Sequence, residues 1–116
     1  MPSESLKRFS RINRRETLDL TVRSGKVART SYCRMCYRIG EGPPGVAFLA
    51  GKKVGGAVKR NRAKRVLREA LRTSRADLSG IETLIFIASS RAAVARYSDI
   101  RKTLHAELHR ISDCIS

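Results

Sequence analysis

The chain has 116 residues, the length of one domain with a single core, and its 25 Lys and Arg outweigh 10 Asp and Glu to leave a formal charge of +15. Such an excess repels itself in a compact fold unless a polyanion is the working partner, so nucleic acid is the first candidate and an anionic membrane surface the second. No run approaches the ~20 apolar residues of a membrane span, and the first residues lack the order of a signal peptide, so a cytoplasmic protein is expected.

The first fourteen residues, with Lys7, Arg8, Arg11 and Arg14, read as a flexible or edge-lying basic arm that a polyanion would order. Beyond Arg15, the apolar Leu18, Leu20 and Val22 fit a short helix or a strand, a helix being favoured, and Ser24-Gly25 supplies its stop. Residues 31–38 alternate, with Cys33, Met35 and Tyr37 on one face and Tyr32, Arg34 and Cys36 on the other, which predicts a half-buried strand. Gly40-Glu41-Gly42-Pro43-Pro44-Gly45 is a turn signal, and with the apolar run over 46–50 it predicts a hairpin.

Lys52 to Gly56 lead into the clearest helical pattern, where Ala63, Val66, Leu67, Ala70 and Leu71 form an apolar stripe. Residues 73–80 read as a loop. The continuous run Leu84, Ile85, Phe86 and Ile87 predicts a buried strand over 83–88. Ser98 before Asp99 caps a last helix with Ile100, Leu104, Leu108 and Ile111 on its inner face, and residues 112–116 form a tail. The order read from the residues is helix, hairpin, helix, strand, helix, with no internal repeat.

Turning the central helix by about 100° per residue puts Asn61, Lys64, Arg65, Arg68 and Arg72 opposite the apolar stripe, flanked by Arg60 and Arg62. Charge runs are usually solvated helix faces. Here Glu69 is the only acid between Lys52 and Arg75, so the i,i+4 pairs of an ordinary surface helix are missing and a phosphate backbone is the natural counter-charge.

The run from Lys52-Lys53-Val54-Gly55-Gly56-Ala57-Val58-Lys59 through Arg60-Asn61-Arg62-Ala63-Lys64-Arg65-Val66-Leu67-Arg68-Glu69-Ala70 resembles the signature of the bacterial ribonuclease P protein family, and the surrounding chain fits that family over roughly residues 6–110. The resemblance implies a single-domain α+β sandwich in the order helix-β-β-β-helix-β-helix. It also implies a four-stranded sheet with a left-handed βαβ crossover, against the general right-handed rule. In the family the protein holds no catalytic residue. An RNA subunit carries the Mg²⁺ ions and cleaves precursor tRNA, so ribonuclease P RNA and the 5′ leader are the implied partners, with no membrane, no small-molecule substrate and no metal on the protein. Carried to this sequence, Lys52, Lys53, Arg60, Asn61, Arg62, Lys64, Arg65 and Arg68 contact the catalytic RNA, with Arg72 on the same comb. The glycines let backbone approach phosphate. A leader cleft would take Leu18, Val22, Tyr32, Arg34 and Cys36, with a core or surface role an equal reading for Tyr32. The family commonly shows two aromatic residues on its first helix, and Leu18 and Val22 at the matching positions lack the π-face that base stacking needs.

Other chemistry finds less support. Cys33-x-x-Cys36 places its thiols on opposite strand faces with no second pair, and three cysteines, counting Cys114, suit no disulfide framework in a reducing compartment. His105 and His109 share a helix face without a third ligand, and read as surface or RNA-facing histidines. The acids form no paired-carboxylate or Glu-x-x-His grouping for protein-based hydrolysis. A structural RNA-binding protein fits the charge but not the Arg-Asn-Arg context, a nuclease would cleave without RNA, and a DNA-binding helix would need base-edge readers.

Overall fold

The apolar run Leu84 to Ile87 has no face to offer water, and the fold is organised around the strand it makes. The computed structural model describes residues 10, 11, 15–41 and 44–115. Its strands are β1 (Ser10–Arg11), β2 (Lys26–Arg29), β3 (Cys33–Ile39), β4 (Gly45–Leu49) and β5 (Ile81–Ala88). Its helices are α1 (Arg15–Ser24), α2 (Ala57–Ser74) and α3 (Tyr97–Ile115), with 3₁₀ turns at Lys52–Val54 and Ser90–Ala93. The sheet order is β1-β4-β5-β3-β2, which puts β5 at the centre, parallel to β4 and antiparallel to β3.

This corrects the hairpin expected between β3 and β4. They do not pair, because β5 inserts between them, Met35 and Phe48 both facing Phe86 in the register. A strand of four consecutive apolar residues loses most by lying at an edge, so it displaces the local pairing that the turn sequence favours. The hairpin partner of β3 is instead β2, through Val27↔Cys36 and Arg29↔Arg34. Nothing in the residues marks β2 as a strand, since Ala28 alone among its four residues is buried. Strands β2 to β5 with three helices make the α+β single domain that the resemblance implied, and α2 forms the parallel connection from β4 to β5. Of the basic arm expected over residues 1–14, only Ser10 and Arg11 lie among the described residues; they pair in parallel with Gly45 and Val46.

Each sheet face carries its own core. On one face α2 and α3 set Ala63, Leu67, Ala70, Ile100, Leu104 and Leu108 against Met35, Leu84 and Phe86, all but wholly buried. The stripes predicted for both helices are the faces that pack. On the other face Cys36, Ala47 and Ile85 lie under Leu18 and Val22 of α1. A helix can sit that close because position 25 is glycine: a Cβ there would lie 2.5 Å from Thr21 O and 2.7 Å from Tyr37 O. Thr21, fully buried beside it, donates its hydroxyl to Thr17 O at 2.9 Å.

The tail expected at residues 112–116 is helical through Ile115, because the last turn of α3 has partners. Ser112 Oγ donates to Asp77 O at 2.6 Å, and Ile115 packs against the main core. The histidines expected at the surface join α3 to the end of α2. His105 Nε2 donates to Ala70 O at 3.0 Å and lies 3.1 Å from Thr73 Oγ1, and His109 Nε2 donates to Ser74 O at 3.1 Å. Side chains of this kind serve the carbonyls that a helix end leaves short of donors. No described helix is long and apolar enough to cross a membrane.

Because the clashing atoms at position 25 are backbone, Gly25→Ala should lift α1 from the sheet and cost about 1–3 kcal/mol in urea unfolding. Burial, reinforced by Arg101 and His109, holds the His105 imidazole below its ordinary value of 6.5. The unfolded chain therefore takes up this proton first, so the contribution is complete above 6.5 and is lost as the pH falls from there toward the folded-state value. The urea midpoint should drop as the pH falls below about 6.5, and His105→Gln should shrink that drop; an unchanged drop would assign it to another group.

Candidate nucleic-acid interface

The cationic surface begins before α2. Val54 is buried and anchors the 3₁₀ turn, leaving Lys52 and Lys53 exposed. Gly55 closes the turn, its amide donating to Lys52 O at 3.2 Å, with φ at +134°, a region that side-chain-bearing residues rarely enter. The N-terminus of α2 follows with Gly56 as cap, no side-chain capping bond and no acid in the first turn, so its partial positive charge adds to the lysines.

Along α2 the polar face divides into cations the fold has already used and cations it has not. Arg62 belongs to the first group: its Nη1 donates to Ala92 O at 3.1 Å and its Nη2 to Ala95 O at 3.0 Å, fastening α2 to the Ser90–Ala93 turn. Arg68 lies over the Phe48 ring at 5.3 Å, and Phe48 stacks on Phe86 with centroids 4.9 Å apart. Arg72 pairs with Glu69, whose carboxyl this bond holds below its ordinary range. The second group is Lys59, Arg60, Lys64 and Arg65, which have no carboxylate partner among the described residues. Arg60 Nε is buried without a hydrogen-bond partner there. Asn61, Arg62, Lys64, Arg65 and Arg68 line an open groove of about 530 Å³ with Val58. The structure thus brings Asn61, Arg62, Lys64, Arg65 and Arg68 together, leaves Arg60 and Arg72 outside that groove, and sets Arg62, Arg68 and Arg72 apart by their protein partners. Phe48, on which Arg68 rests, was missed because a lone aromatic in a short strand reads only as core.

The residues expected for a leader cleft do not all meet. Leu18 and Val22 line a groove of about 460 Å³ between α1 and the end of β4, with Arg15, Asp19, Arg23 and Leu49. Cys36 is on that face but fully buried beneath the two aliphatic residues, so it offers no surface. Tyr32 leaves the set as well. It precedes β3 in the turn from β2, its backbone oxygen accepts from Ser89 N at 2.9 Å, and its side chain packs against the α2–α3 core. The alternation drawn over residues 31–38 holds from Cys33 onward and breaks where the turn ends. Arg34 does lie on the α1 face, opposite Arg29 on β2 and Ile87 on β5.

Cys33 faces the main core and Cys36 the smaller one. Burial pushes the Cys33 thiol up to about 11, so it is a packing residue and not a nucleophile. Among the described residues no three His, Cys, Asp or Glu side chains are grouped to hold a metal ion.

A basic α+β domain whose mixed sheet carries two helices on one face and one on the other, and whose central helix shows an uncompensated cationic face, is the class defined by these observations. The sequence matches the Ribonuclease P family over residues 6–112, and the chain belongs to that family. It is 32% identical over 110 residues to the ribonuclease P protein component of Xanthomonas axonopodis pv. citri, covering 94% of this chain and 75% of the relative. A 46% identical match to the same component of Dehalococcoides mccartyi covers 51% of this chain and 48% of that protein, so this alignment spans about half of either. In fold it is similar to the RNase P protein of Thermotoga maritima, with a TM-score of 0.75, 22% identity and coverage of 87% and 96%. The Staphylococcus aureus RNase P protein gives 0.73 at 19% identity, covering 91% and 97%.

The division within α2 has a direct consequence for stability. Arg62→Ala should cost about 1–3 kcal/mol in urea unfolding, since it strips two carbonyls of charged donors, whereas Arg65→Ala should stay within about 0.5 kcal/mol.

Proposed function

We propose that this chain is the RNA-binding protein subunit of ribonuclease P, holding the catalytic RNA through α2 and the 5′ leader of precursor tRNA through the groove beside α1. The observation that carries the reading is the row of Lys59, Arg60, Lys64 and Arg65, exposed at Lys59 and Arg65 and half-buried at Arg60 and Lys64, without carboxylate partners among the described residues, in a chain of this family. A protein that needed this helix only for packing would compensate those charges with acids, as Glu69 does for Arg72.

On this reading Lys52, Lys53, Arg60, Asn61, Lys64 and Arg65 contact RNA phosphates. Arg62 and Arg68, held by Ala92, Ala95 and Phe48, supply fixed positive charge beside them. Fixed charge is useful there, because a guanidinium already ordered by the protein loses little entropy when phosphate arrives. Mg²⁺ ions held by the RNA subunit supply the water activation and charge stabilisation of the cleavage step. The protein's own work is to screen phosphate repulsion, so that the RNA and its substrate associate at modest Mg²⁺, and to place the leader. The endonuclease is the complex, and the protein alone is inactive.

The test is 5′ processing of a precursor tRNA at low Mg²⁺ by a bacterial ribonuclease P RNA, by this protein, and by both together. Cleavage should rise only when both are present. Cleavage by the protein alone would favour a nuclease, and a lack of stimulation with a cognate RNA a structural RNA-binding role. In the same system Lys64→Ala and Arg65→Ala should each lower the slope of log affinity against log salt by about one for the RNA subunit. Unchanged slopes in both would place this helix face in solvent.

A further inference from the structure

The register of the sheet makes a charge arrangement that packing does not explain. Arg29 of β2 and Arg34 of β3 are directly paired in an antiparallel ladder, so both project from the α1 face with Cβ atoms about 4.5–5.5 Å apart. Like charges in that position destabilise a sheet. Neither has a carboxylate partner among the described residues, and the buried Arg34 Nε has no hydrogen-bond partner there. A partly desolvated guanidinium beside a second, exposed one is destabilised by the repulsion, and an anion reaching both would relieve it.

The surroundings say which anion. Cross-strand pairing continues the row from Arg34 to Ile87 of β5 and Leu49 of β4, and Leu49 lines the groove with Leu18 and Val22. This row lies two residues, about 7 Å, along the strands from the row that α1 covers, so the arginine pair and the groove share one surface. The groove wall is aliphatic at Leu18, Val22 and Leu49, with no π-face for a base. Phe48 and Phe86 face the opposite core, and Tyr32 packs there too.

We propose that Arg29 and Arg34 clamp one phosphodiester of the bound leader, so that this protein holds the leader by backbone charge and not by stacked bases. The proposal rests on the leader reading above and adds to it a named pair, a ligand group and a specificity. Two arginine forks meeting one phosphate form charge-assisted hydrogen bonds of the strongest class in proteins, and they read no sequence. Leader recognition here is therefore indifferent to base identity and sensitive to charge at a single linkage.

The experiment uses the reconstituted holoenzyme and precursor tRNAs whose leader carries a single neutral methylphosphonate at each linkage in turn. Wild type should lose about tenfold in affinity at one linkage and little at the others. Arg29→Gln and Arg34→Gln should each weaken binding of the unmodified substrate to a similar degree, leave leaderless substrate unaffected, and be insensitive to the methylphosphonate that wild type detects. Arg29→Gln should also leave the urea midpoint unchanged or raise it, because it relieves a like-charge pair; a lost midpoint would make the residue structural. Variants that remain as sensitive as wild type to every neutral linkage, or that bind leaderless substrate equally poorly, overturn the clamp. So does a wild-type affinity that varies more than about tenfold when the leader bases are permuted. Stimulation of the RNA by wild-type protein on leaderless substrate is scored in parallel, so loss of the clamp is distinguishable from failure of the subunit reading.

Discussion

Everything in this fold depends on β5 being buried on both faces. Phe86 and Leu84 point into the core made with α2 and α3, and Ile85 points into the one made with α1. A strand so enclosed must sit between two others, and its parallel partner β4 can be reached from it only by a crossover. That crossover is α2. The helix with the exposed cations is therefore also the connection that closes the sheet, and its position is set by core residues from Ala63 to Leu71. Its charges are presented by a rigid element, not by a loop.

The economy of arginine on α2 follows from the same constraint. A helix pressed onto a sheet has flanks as well as an inner and an outer face, and flank residues meet the neighbouring elements. Arg62 reaches the Ser90–Ala93 turn, Arg68 reaches Phe48 on β4, and Arg72 meets Glu69. Lys64 and Arg65 stand clear. The basic motif thus combines side chains that hold the helix in place with side chains left for a partner. Both kinds add to the local field, because a guanidinium bonded to a carbonyl keeps its full charge.

On the opposite face the sheet is covered by one short helix, and the difference in coverage is what makes a groove. α1 is ten residues long and lies over the Cys36, Ala47 and Ile85 row. Beyond its edge, Leu49 and the Arg29–Arg34 pair remain accessible to a ligand. Close seating through Gly25 lowers α1 into the sheet and fixes the depth of that groove. The two faces of the sheet accordingly do different work: one is a thick core that aims a cationic helix, the other a thin cover that leaves a charged, aliphatic channel.

What the sequence by itself determined is whatever local chemistry decides. The apolar stripes of α2 and α3, the buried strand at Leu84 to Ile87 and the excess of unbalanced cations follow from periodicity and charge, and each is present in the fold. The Lys52-Lys53 to Arg68 motif was enough to indicate the family. Strand partners were not legible, because pairing β3 with β4 satisfies the turn at residues 40–45, and the strand that takes that edge of β3 instead is β5, distant in sequence. For the same reason Tyr32 and Cys36 could not be placed: a single-residue change in where the strand starts reverses the face of Tyr32, and whether Cys36 is covered depends on where α1 lands. The Arg29–Arg34 pair is the sharpest case. Each arginine is unremarkable in its own segment, and only the tertiary register sets them side by side, where their mutual repulsion calls for an anion.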